Sequence, residues 1–236
     1  MRILSILLCL TIVTSCRFGM GKRVTGNGNV ITQHRTTDNF NRIDVSGSVS
    51  VILQQGDVRL LKVETDENLM PYVEVFSEDN VLVIREKPGY NLHPSGDLVV
   101  HVWAPVIKGV EVSGAGGLLG DLPISEDNME IGVSGSGVVE MDIDVSRVSV
   151  DISGSGEVLL RGRARELEGR ISGSGELECF DLEAENASVS VSGAGNAYIN
   201  ASNKISAKVS GSGTIKYRGT ATVDQSISGA GTVEKG

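Results

Sequence analysis

The chain of 236 residues carries 21 Lys and Arg against 30 Asp and Glu, a formal net charge of −9. That acidic balance, with no basic cluster longer than Gly21-Lys22-Arg23, argues against nucleic acid or an anionic lipid surface as a charge-selected partner. Aromatics make up 4% and glycines number 30, so the core must come from Val, Ile and Leu held in narrow, regular structure.

Residues 1–15 read as a lipoprotein signal peptide. In "MRILSILLCLTIVTSC" (Met1–Cys16) one early Arg precedes an apolar run, Ile3–Val13, too short to cross a hydrocarbon layer of roughly 30 Å as a helix. Val13-Thr14-Ser15-Cys16 resembles a bacterial lipobox, in which Cys16 receives diacylglycerol and becomes the first mature residue. Ordinary secretion with a coincidental cysteine is the alternative. Residues 16–29 then serve as lipid anchor and hydrophilic spacer. Two or three acyl chains hold a protein stably on a membrane, because each buried methylene contributes about 0.8 kcal/mol. Arg17 rather than Asp follows the cysteine, which resembles outer-membrane sorting; whether the protein faces the periplasm or the cell surface stays open. Cys9 leaves with the signal and Cys16 is acylated, so Cys179 alone remains and no intramolecular disulfide can form.

Residues 30–105 are rich in strands of irregular spacing: "RIDVSGSVSVIL" (Arg42–Leu53), "LLKVETD" (Leu60–Asp66), "VLVIRE" (Val81–Glu86) and "LVVHVWAP" (Leu98–Pro105). They are expected to form irregular coils capping the next region, with a small separate β domain as the alternative.

Residues 106–236 repeat. Seven copies of "[VI]SG[SA]G" start at Val112, Val133, Ile152, Ile171, Val191, Val209 and Ile227, with their serines 18–21 residues apart. Seven copies at that period exclude a flexible linker. Apolar residues alternate on both sides of each copy, as in Val148, Val150 and Ile152 before it and Val158 and Leu160 after it. Each unit is therefore strand, turn, strand, and polar segments such as "RGRARE" (Arg161–Glu166) make a second bend. The expected architecture is all-β: a parallel β-helix, or β-solenoid, with two short strands per 18–21-residue coil and Gly-Ser-Gly turns.

Residue parity places both repeated glycines on the inside of the tight corner, where a Cβ lacks room. These turn glycines are Gly114 and Gly116, Gly135 and Gly137, Gly154 and Gly156, Gly173 and Gly175, Gly193 and Gly195, Gly211 and Gly213, and Gly229 and Gly231. The serines between and before them face outward. A degraded copy, "VSGSV" (Val45–Val49), carries Val49 where the second glycine belongs, which leaves the first turn in question.

No catalytic set emerges, and no metal or cofactor is expected. "GAGGLLG" (Gly114–Gly120) has the wrong spacing for a dinucleotide loop and no helix after it, and a device present in every coil is architecture. His34, His93 and His101 lack ligand spacing, and His93-Pro94-Ser95-Gly96-Asp97 reads as a loop. Stacking puts Glu157 beside Glu176 on consecutive coils, a pair able to touch calcium or a sugar, although a solvated acidic face is the preferred reading. Phe180 and Tyr198 share outward parity and are candidates for a sugar platform. Asp151 and Arg170 look like a cross-coil ion pair, and Cys179 like a core residue.

The seven "[VI]SG[SA]G" copies, "NFNRIDVSGSVSVIL" (Asn39–Leu53) and the lipoprotein signal together resemble the auto-transporter adhesin, head GIN domain family of Gram-negative envelope proteins. The resemblance runs from about Val30 to Gly236. It implies a right-handed β-helix related in shape to pectate lyases, a role in adhesion and no recognised catalytic residues.

The leading expectation is a non-enzymatic, lipid-anchored envelope protein. It would meet the membrane through Cys16 and a glycan or cell-surface protein through a repetitive rigid face, and could form homo-oligomers through exposed solenoid edges. A polysaccharide lyase or hydrolase, a carbohydrate-binding protein and a structural periplasmic component are the alternatives.

Overall fold

A computed structural model describes residues 21–56 and 59–236, so the signal-like segment and Cys16 lie outside the described residues. The N-terminal part contains β1 (Lys22–Thr25), β2 (Val30–Arg35), β3 (Arg42–Gly47), β4 (Ser50–Gln55) and β5 (Leu60–Asp66). After a single 3-10 turn at Met70–Tyr72 follow β6 (Val73–Glu78), β7 (Val81–Glu86), β8 (Tyr90–His93) and β9 (Val99–Ala104). The repeats supply β10 (Gly109–Gly114), β11 (Gly117–Gly120), β12 (Ile124–Gly135), β13 (Val138–Gly154), β14 (Glu157–Gly173) and β15 (Glu176–Gly193). The last strands are β16 (Asn196–Gly211), β17 (Thr214–Gly219), β18 (Thr222–Gly229) and β19 (Thr232–Lys235).

Strands account for 74% of the structure, stacked as parallel coils of about 19 residues in a β-solenoid of about 7 turns. Repeat pairs with repeat in register: Ile152 lies beside Val133 and Ile171, and Gly154 beside Gly135 and Gly173. Alternation then does the rest. Val148, Val150, Ile152, Val158 and Leu160 turn into one continuous apolar core and are almost wholly buried. Each such side chain contributes about 1.5–3 kcal/mol on burial, repeated coil after coil.

The strand count per coil departs from expectation. From β13 to β16 each coil is one bent strand of 16–18 residues, not two short ones. The ladder persists around the second bend, which is wide enough to be absorbed by register shifts between Leu159 and Gly162 and between Cys179 and Ala184. Gly162 helps turn it with φ +104°. In the later coil the bend does interrupt the ladder, and β17 and β18 appear as the expected pair.

The corner itself also differs from the parity reading. Only the second glycine of each copy is inward. A Cβ on Gly156 would meet the Val133 side chain below it and lie 2.8 Å from the Gly137 carbonyl oxygen. The first glycine is not core-facing: Gly154 has φ +112°, and a Cβ there would point along the stack to within 2.6 Å of the Gly135 oxygen. Simple alternation fails here because a positive φ rotates the Cα substituent out of the pleat. The turn keeps its backbone paired, with Ser155 N donating to Gly135 O at 2.7 Å and Glu157 N to Gly137 O at 3.0 Å.

β8 pairs in parallel with β1 as a separate two-stranded sheet, and the other strands of residues 30–105 join the main sheet. β3 and β4 lie parallel and in register with β10 and β11, Gly47 beside Gly114. The first corner survives the replacement: Gly47 keeps φ +92° and Val49 is fully buried. Its side chain has room because the strand beneath, β7, leaves the ladder after Ser46 beside Arg85 and does not turn the corner. Antiparallel pairs β2–β5, β5–β9 and β6–β7 replace coils at this end. Asp79 and Asn80, with φ of 50° and 63°, make the tight β6–β7 hairpin turn.

Candidate functional site

With the core filled, chemistry is confined to outward rows. On the wall that precedes the Gly-Ser-Gly corner, Asp44, Glu111, Gly132, Asp151 and Arg170 succeed one another across the ladder. Glu111 lies over Gly132, in the space a side chain there would take. Partial burial, then Asp44 and Asp151, push its carboxyl above the usual range. Arg170 Nη1 is 3.7 Å from Asp151, but the guanidinium sits closer to Glu168 on its own strand. Both partners are half exposed, so the pair contributes little.

The wall after the corner carries the row Ile52, Leu119, Glu140, Leu159, Glu178, Tyr198 and Lys216. One row away, Glu157 pairs in register with Glu176. Among the described residues no three His, Cys, Asp or Glu side chains converge as a metal-binding set. The carboxyl raised on this wall is Glu178, through burial first, although it accepts the Phe180 N–H at 3.1 Å. Phe180 and Tyr198 meet edge to face, 5.3 Å between centroids. The Arg218 guanidinium stacks 3.8 Å over the Phe180 ring, covering one of its faces. Cys179 is fully buried, and burial pushes its thiol up, away from thiolate chemistry.

Along the second bend runs an open trough of about 1140 Å³, from β12 to β17. Its backbone floor is Val145, Ala164, Ala184 and Ala201, which stack in register and turn their side chains into the core. One rim is Asp144, Arg163 and Glu183, also in register; the other includes Ser146, Arg165 and Glu185. Outward side chains diverge at a convex bend, so the two rims stand apart. The polarity of "RGRARE" marks a bend in the sequence, but the alignment of successive bends is fixed only by register across coils.

Two polar features of the cap also escaped the sequence. Asp66, fully buried, accepts hydrogen bonds from Gly28 N at 2.6 Å, Ser95 N at 2.8 Å and Ser95 Oγ at 2.7 Å. Those bonds, led by Ser95, hold its carboxyl below the usual range. His101 stacks on Trp103, 5.7 Å between centroids.

A parallel β-solenoid with a filled core and chemistry only on its outer rows defines the class. Within it, the chain belongs to the family described as "Putative auto-transporter adhesin, head GIN domain", whose model matches residues 39–221. That membership indicates a cell-envelope or surface protein. A solved structure named a putative adhesin from Bacteroides fragilis shares the fold with a TM-score of 0.84 at 24% identity, covering 90% of this chain and 99% of that one. One named a putative adhesin from Parabacteroides merdae gives 0.77 at 26% identity, over 92% and 100%. A third, named a putative lipid binding protein from Parabacteroides distasonis, gives 0.77 at 26%, over 91% and 100%. No curated protein matches the chain.

Proposed function

We propose that the chain is a lipid-anchored outer-membrane protein that mediates adhesion through its outer rows and catalyses no reaction. The observation carrying this reading is the in-register ladder, which fixes outward side chains at one spacing along a rigid column. Repetition of weak contacts at fixed spacing raises avidity without any single strong site. The family description supports adhesion, and the lipobox at Val13–Cys16 supports the anchor.

The reading is tested in cells that make the full chain. Cys16→Ala should move the protein from the membrane to the soluble fraction. Protease added to intact cells should remove the wild-type protein, and deleting it should reduce attachment to surfaces or neighbouring cells. Protein that resists protease until cells are broken would overturn adhesion and leave a structural periplasmic role.

A further inference from the structure

The geometry points to the trough along the second bend as a binding track for an extended polysaccharide of neutral or amino-bearing sugars. This deepens the adhesion reading and rests on it for biological meaning, though the binding itself is a separate property. The trough crosses five coil-to-coil steps of about 4.8 Å, or roughly 24 Å, room for about four or five pyranose rings in a row. Its volume of about 1140 Å³ is open along its length, so a chain could enter without threading.

The lining selects the chemistry. The floor is backbone, and among the described residues no aromatic, Leu, Ile or Met side chain lines the trough, which leaves little for an acyl chain or an amphipathic helix to pack on. Donors and acceptors instead recur at every coil. Arg163 is held by Asp144 at 2.8 Å, whereas Arg165, Glu183 and Glu185 form no ion pair among the described residues. A carboxylate accepts from two neighbouring hydroxyls and a guanidinium donates to ring or hydroxyl oxygens, the pattern a sugar chain presents. Carboxylates outnumber guanidinium groups in the trough, which repels polyanions and favours neutral or cationic chains. The step between coils is close to the length of one sugar ring in an extended chain. Successive rings can therefore meet equivalent rim positions.

Titration of the detergent-solubilised full chain with cello- and chito-oligosaccharides, from disaccharide to hexasaccharide, tests the inference. Affinity should rise with length and level off near the pentasaccharide. The double variant Arg165→Ala/Glu185→Ala should weaken pentasaccharide binding at least about tenfold, equivalent to 1.4 kcal/mol. Both residues are exposed, so an unchanged melting temperature should accompany that loss. Glu130→Ala, on the other wall, should leave binding intact. Absence of binding to either series, affinity indifferent to length or to the double variant, or preference for polygalacturonate would overturn the inference. Sugar binding by a protein that protease cannot reach on intact cells would sink adhesion and leave the track standing.

Discussion

At the scale of single residues, the two glycines of each copy are required for different reasons. The first, as at Gly154, holds a positive φ, and its missing Cβ lets the Gly135 carbonyl approach; the second, Gly156, leaves room for Val133. Neither clash can be relieved by a side-chain rotation alone, because backbone oxygens are involved in both. Gly154→Ala and Gly156→Ala should each lower stability by about 2–4 kcal/mol, measured by chemical denaturation. Ser155→Ala should stay within about 0.5 kcal/mol, since the site is exposed and Ala115, Ala194 and Ala230 occupy it in other copies. Equal losses for all three would contradict this account.

Between elements, Asp66 is the fastener of the cap. From the end of β5 it ties the segment before β2, through Gly28, to the loop before β9, through Ser95. Its folded-state pKa is depressed, so its contribution is complete above the unfolded value of about 3.9 and is lost as pH falls through the folded one. Asp66→Asn should therefore destabilise the protein at neutral pH and flatten the loss of stability below about pH 4 relative to wild type. An unchanged acid limb in the denaturation profile would show that other carboxylates control it. This contact was illegible in the sequence because Gly28, Asp66 and Ser95 are far apart in the chain and none belongs to the repeat.

For the whole molecule, a solenoid is held by coil-to-coil contacts, and its stability is graded along the column. Strands β13, β14 and β15 have neighbours on both sides and buried inward residues, whereas β18 and β19 are largely exposed, with Ile227 at 43%. Amide hydrogen exchange should be slowest in β13–β15 and markedly faster in β18 and β19; uniform protection would mean the column opens as one unit. The period, the apolar inward set, the Gly-Ser-Gly corner and the family are legible in the sequence, because each is written locally and repeated every 18–21 residues. The rest arises from contacts between coils that no local stretch encodes. A positive φ turned the first glycine out of the pleat, Val49 was accommodated by the departure of β7, and Arg218 came to cover Phe180. The trough belongs to the same class: no single bend encodes it, and only the stacking of successive bends in register gives it length.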